Sequence, residues 1–225
     1  DNMWKNFTPK ASFGVGKWLT ATSGARLWAE AGRIRLDNFR SEKSEFIGIG
    51  LDYMWNATNT FHGYDPNRRA ELITTLGANY NKLSGRGGFI GLNASVKGLF
   101  HIDDMWSIYV EPQIRMYKDS YVDGTTPVFG NDLIASLMAG VQLNTFGRTE
   151  QTFDRGTYDV DAKHSFVSGA LGVTSNANEL PYPDMYGFAG RFSFGHWFSP
   201  FAAWRGNISA LYTDTDNYRH YAKFM

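Results

Sequence analysis

The residues that could do chemistry are five histidines, a scatter of acids, and charges set at alternate positions. The histidines are His62, His101, His164, His196 and His220. A general base or a nucleophile's partner must lie within hydrogen-bond reach of the group it serves. His101 stands beside Asp103 and Asp104, and the three read as a solvated turn. His164 adjoins Ser165 where a strand opens, and neighbouring strand residues point to opposite faces. His196 beside Trp197 reads as an interfacial anchor, and Lys17 suits the same role, its ammonium reaching toward headgroups. Asp119, Asp123, Asp132, Asp214 and Asp216 fall in loops and lack the D-x-D-x-D-G ladder of a calcium loop, so they read as solvated acids. Gly85-Arg86-Gly87-Gly88 has no strand-to-helix context and is a turn, not a phosphate loop. The chain has no cysteine, which excludes disulfides and thiolate metal sites. No catalytic residue, cofactor or metal is expected.

The alternating charges lead back to the elements that carry them. Two long segments, 89–100 and 105–117, flank a four-residue turn. In the second, Trp106, Ile108, Val110, Ile114 and Met116 fall on one face, and Ser107, Tyr109, Glu111, Gln113 and Arg115 on the other. In the first, Ile90, Leu92, Ala94 and Val96 oppose Asn93, Ser95 and Lys97. This is period-two alternation, the mark of a strand with one oily and one polar face. Soluble strands run about 5–6 residues, whereas strands that span a bilayer need about 9–11. A face bearing Glu111, Gln113 and Arg115 makes a poor soluble core, because buried charge is costly unless paired. The pattern predicts a membrane barrel with its oily face outward and a polar lumen.

The totals agree. Of 225 residues, 22 are Lys or Arg and 22 are Asp or Glu, so the formal net charge is zero and nothing electrostatic favours nucleic acid. Aromatics reach 16%, there are 24 glycines, and both suit barrels. No apolar run approaches the length of a membrane-crossing helix. No signal peptide is visible, and Asp1 is compatible with one already removed. A pass along the chain finds no convincing helix. It finds strands at 7–18, 22–35, 45–55, 70–81, 89–100, 105–117, 132–145, 164–174, 185–197 and 201–212, with a last piece from His220. That is an all-β, antiparallel, up-and-down transmembrane barrel of about eleven strands, incomplete at its open end.

Linkers at 19–21, 101–104 and 198–200 are short and fall on one side, read as periplasmic. Those at 36–44, 118–131 and 175–184 are longer and fall on the other, read as extracellular. Linkers 56–69 and 146–163 are long yet count as periplasmic. Trp18, Trp55, Trp106 and Trp197 stand at strand ends on the short-turn side, with Tyr80, Tyr117 and Tyr212 toward the other, as the two aromatic girdles of a bilayer-spanning barrel would. The lumen-lining candidates are Arg26, Glu30, Asp52, Glu71, Lys97, Glu111, Arg115, Arg191 and Arg205. In a narrow barrel they pair and plug it; in a wide one they line water.

A shift of 179 residues aligns Phe13 with Phe192, Gly16 with Gly195, Trp18 with Trp197 and Arg26 with Arg205. It also aligns Asp37-Asn38-Phe39-Arg40 with Asp216-Asn217-Tyr218-Arg219. This reads as a duplication: residues 1–146 a first barrel repeat lacking its first strand, 147–163 a linker, and 164–225 the start of a second repeat in the same barrel. The chain is then expected to be part of a longer one, with about sixteen strands.

Gly14-Val-Gly-Lys-Trp-Leu-Thr20, Gly24-Ala-Arg26, Leu51-Asp-Tyr-Met-Trp-Asn56 and Tyr64-Asp-Pro-Asn67 together resemble the OmpA-like N-terminal outer-membrane barrels. The resemblance covers residues 7–146 and returns near Gly195. It implies a Gram-negative outer-membrane location, an eight-stranded unit and no catalytic residues. The chain carries no recognisable peptidoglycan-binding domain, so a cell-wall tether does not transfer. The expected function is that of a non-enzymatic outer-membrane barrel, structural or a subunit of a larger complex. Its partners would be outer-membrane lipid, lipopolysaccharide and other outer-membrane proteins. The alternative is a porin-like passive diffusion channel for small solutes.

Overall fold

The structure, a computed structural model, describes residues 7–35, 43–65, 67–84, 88–118, 131–145, 165–177, 186–199 and 201–213. Among the described residues there are ten strands: β1 (Phe7–Trp18), β2 (Ser23–Arg35), β3 (Lys43–Asn56), β4 (Ala70–Leu83), β5 (Gly88–His101), β6 (Trp106–Lys118), β7 (Asn131–Asn144), β8 (Ser165–Ala177), β9 (Tyr186–Ser199) and β10 (Ala202–Thr213). Each is 12 to 14 residues long, at least twice the common strand of soluble proteins, which runs about 5–6. Each pairs antiparallel with its chain neighbours, and β1 pairs with β10, so the sheet closes.

Closure corrects two expectations. The barrel has ten strands, not eleven, and no open edge. Phe7 to Lys17 of β1 meet Tyr212 to Ala202 of β10 in continuous register. Strands from both sides of the 147–163 segment share the one sheet. The piece expected from His220, and the linkers at 36–42, 119–130, 146–164 and 178–185, lie outside the described residues.

Alternation sets the two faces. On β6, Ile108, Val110 and Ile114 are 44%, 49% and 49% exposed, whereas Ser107, Tyr109 and Tyr117 are buried. The outer wall continues through Leu27 on β2, Ile47, Ile49, Leu51 and Tyr53 on β3, Leu76 on β4, Leu92 on β5 and Leu171 on β8, all more than half exposed. Among the described residues, the largest fully buried side chains are Asn81, Asp52, Ser107 and Ser193, all polar. The barrel is therefore inverted relative to a soluble core: apolar outside, polar inside.

Three tight turns share one end, and each is held by a side-chain oxygen, as Ser, Thr and Asp do in turns. Thr20 Oγ1 accepts from the Ser23 amide at 3.0 Å, Asp103 Oδ1 from the Met105 amide at 2.8 Å, and Ser199 Oγ from the Ala202 amide at 3.0 Å. A helix not expected from the sequence, α1 (Ala57–His62), folds at the same end. Asn56 caps it, its Oδ1 accepting from the Asn59 amide at 2.9 Å. Asn59 in turn donates to the Ala21 carbonyl at 2.8 Å, tying α1 to the β1–β2 turn. Gly63 closes α1 at φ +71°, a left-handed conformation that suits glycine.

One ladder is broken. Between β5 and β6 the pairs run to Ser95–Gln113 and resume at Gly98–Val110. The missing rungs are Val96–Pro112 and Lys97–Glu111. Pro112 has no amide hydrogen to give Val96, which accounts for the gap. On its other side Pro112 still pairs with Leu137 of β7.

Candidate functional site: the barrel interior

All nine lumen candidates lie on inward-facing strand positions, where they meet partners from neighbouring and distant strands. Glu30 on β2 is the most connected. Lys10 Nζ lies 2.8 Å from its Oε2, and Arg115 Nη1 reaches it from β6 at 3.1 Å. Glu111 on β6 accepts from Arg191 on β9. Lys10 and Glu30 sit on adjacent strands, but the Arg115–Glu30 and Arg191–Glu111 contacts join strands that are not neighbours in the sheet, so these two cross the lumen. Asp52 on β3 takes Arg26 of β2 at 2.6 Å through Nη2, and Asn93 of β5 donates to its other oxygen at 2.8 Å. Lys97 Nζ donates to Gln142 Oε1 at 3.3 Å and lies 4.3 Å from the centre of the Tyr109 ring. Arg205 donates to Asn207 Oδ1 at 2.9 Å and Ser193 Oγ at 3.0 Å, with its guanidinium 5.9 Å from the Phe166 ring.

Glu71 belongs to a different group. Asn56 Nδ2 donates to it at 3.3 Å, and His101 Nε2 stands 3.6 Å away. His101 Nδ1 is 2.8 Å from Ser107 Oγ. The expectation of a solvated His101 is thus corrected: it is the last residue of β5, faces in and is buried. Serine, histidine and carboxylate here have the composition of a nucleophilic triad. Ser107, however, has no exposed surface, so no substrate carbonyl can reach its oxygen in this arrangement. Ser165 and His196 also meet, Oγ to Nδ1 at 2.9 Å, across adjacent strands at the short-turn rim.

The aromatic candidates divide. Trp55 and Trp106 lie on the outer face of the short-turn rim, Trp55 edge-on to Phe61 at 6.0 Å. Trp18 and Trp197 stand at the same rim, but the alternation of β1 and β9 puts both in phase with inward residues such as Gly14 and Ser193. Tyr80 is exposed on the outer wall, and Tyr212 is in phase with outward Ile208. Tyr117 is corrected: it is buried, in phase with Arg115, and its ring meets Phe89 edge-on at 5.5 Å. It is part of the interior, not of a girdle.

Several interior residues were not foreseen. Lys10 shares the inward phase of Ser12 and Gly14, and the alternation of β1 would have shown it. Trp28 is buried against Gly50, with the Arg115 guanidinium 5.7 Å from its ring. Tyr109, Met138 and Ala170 form an apolar cluster, with Leu99 and Ala189 packed on it.

Among the described side chains, six cations (Lys10, Arg26, Lys97, Arg115, Arg191 and Arg205) face inward against four carboxylates (Glu30, Asp52, Glu71 and Glu111). The interior also holds a cavity of about 270 Å³. Arg26 and Arg205 line it on the short-turn side; Thr8, Tyr117 and Leu211 line it toward the other end. No group of three or more His, Asp or Glu suited to a metal ion occurs among the described residues. Chemically, this interior can bind, select or resist ions.

The fold and interior define the class: a closed, ten-stranded, antiparallel up-and-down β-barrel with an apolar outer wall and a charged, largely paired interior. Set against protein-family models and curated proteins, the chain matches none of them.

Proposed function

We propose that this chain is a non-enzymatic, OmpA-like outer-membrane β-barrel protein of a Gram-negative envelope, structural or a subunit of a larger outer-membrane complex. The observation that carries the reading is the inversion of the barrel. An outer wall of Ile, Leu, Val and Phe on strands of 12 to 14 residues suits acyl chains. Most of the enclosed charges pair with one another and the remainder meet neutral polar groups, as suits an interior shielded from bulk water. The Glu30–Arg115 and Glu111–Arg191 contacts obstruct the lumen and favour a sealed barrel over an open pore. Lipid and lipopolysaccharide contact the wall, and partner proteins dock on it or on the long connections.

The test is reconstitution in planar bilayers. A barrel inserted at known density that stays silent supports the sealed reading. Steady ohmic steps would favour a porin-like diffusion channel, the second reading, for which the 270 Å³ cavity is the supporting feature.

A further inference from the structure

We infer that the interior cavity is a binding site for a small soluble oxyanion, a phosphate or carboxylate group, held chiefly by Arg205 and Arg191. The inference needs only the cavity and its charge, and holds whether the barrel is sealed or conducts.

Three observations converge. First, the inward cations exceed the inward carboxylates by six to four among the described side chains. Unpaired charge in a water-poor interior is costly, and an anion relieves it. Second, the excess is localised. Glu30 serves Lys10 and Arg115, and Asp52 serves Arg26. Arg205 meets only neutral acceptors, Asn207 and Ser193, and one ring. Lys97 likewise meets an amide oxygen and a ring. Arg191 is the strongest like-charge neighbour of Arg205, and Arg205 that of Lys97. Three cations therefore share one carboxylate, Glu111. Third, room and a donor not committed to a carboxylate are present together. Arg191 and Arg205 both line the 270 Å³ cavity, and the buried Arg191 Nε makes no well-formed hydrogen bond, the neutral Tyr109 hydroxyl being a polar neighbour of this guanidinium besides Glu111. Two guanidinium groups side by side with an N–H left over from carboxylate pairing suit an oxyanion.

The experiment uses the whole chain refolded in detergent, with inorganic phosphate as the probe and chloride at matched ionic strength as the reference. Calorimetry should show saturable binding of phosphate near one equivalent, and phosphate should raise the thermal unfolding midpoint more than chloride does. Asn207→Asp places a carboxylate of nearly the same shape against Arg205 Nε. It should raise the midpoint in chloride and weaken phosphate binding tenfold or more. Lys82→Gln, on the exposed face of β4, should bind phosphate as the unaltered chain does. The inference is overturned if phosphate gives no heat and no shift beyond chloride. It is equally overturned if Asn207→Asp binds phosphate undiminished. Because Asn207→Asp keeps the side chain's volume, failure to fold is not expected; should it occur, calorimetry on the unaltered chain decides alone.

Discussion

Arg115 on β6 and Glu30 on β2 meet across the barrel interior, Nη1 lying 3.1 Å from one carboxylate oxygen and 3.2 Å from the other. Lys10 donates to the same carboxylate at 2.8 Å, so one anion balances two cations. Removing the shared partner is then worse than removing either cation. Glu30→Gln leaves two partly enclosed cations without their shared counter-charge and is expected to cost at most about 3–5 kcal/mol, the range for breaking a fully buried pair from one side. Arg115→Met should cost less, because Lys10 still satisfies Glu30. Urea unfolding in detergent micelles gives both values; equal losses would show that the carboxylate is not the hub.

The gap between β5 and β6 makes a prediction of opposite sign. Pro112 denies an amide hydrogen to Val96, with pairing intact on its other side. Pro112→Ala supplies the missing donor, and a hydrogen bond regained is worth about 0.5–1.5 kcal/mol net. The variant should unfold at higher urea. Amide exchange at position 112 should be slow, because the new N–H would be bonded in the wall. Fast exchange there would mean that the seam stays open without proline.

Trp28 and Gly50 pack so closely that a side chain at 50 has no space: a Cβ there would run into the indole. Gly50→Val is expected to destabilise by about 1–3 kcal/mol, the range for overpacking. Trp28→Leu in the same chain should recover much of that loss. A Gly50→Val barrel with unchanged stability would place the indole elsewhere.

The sequence made the wall and the lumen legible because one physical rule, period-two alternation, governs both. It worked best where alternation is unbroken, as on β6, where Glu111 and Arg115 are enclosed and Ile108, Val110 and Ile114 form the exterior. Tyr117 departs from the girdle expectation because an aromatic at a strand end marks a rim only where its phase is outward, and its phase is that of Arg115. Trp18 and Trp197 reach the right rim on the inner side for the same reason. The acidic chain neighbours of His101 suggest a solvated turn, whereas its contacts are Ser107 across the hairpin and Glu71 on β4. The six residues of α1 are too few to show helical periodicity; only Asn56, a good cap, marked its start. Closure was out of reach because β1 and β10 are distant in the chain, and nothing local names β10 as the partner of β1. The charge pairing across the lumen was hidden similarly: alternation shows which residues point in, not which of them meet.

The most direct test of the central claim uses the absence of native cysteine. Cysteine is placed singly at Ile108, Val110 and Glu111, and the protein is reconstituted in lipid vesicles with a polarity-sensitive fluorophore on each thiol. At 108 and 110 the probe should report a hydrocarbon environment and be quenched by brominated acyl chains; at 111 it should escape that quenching. Quenching at 111, with 108 and 110 reporting a lipid-free interior or bulk water, would contradict the account.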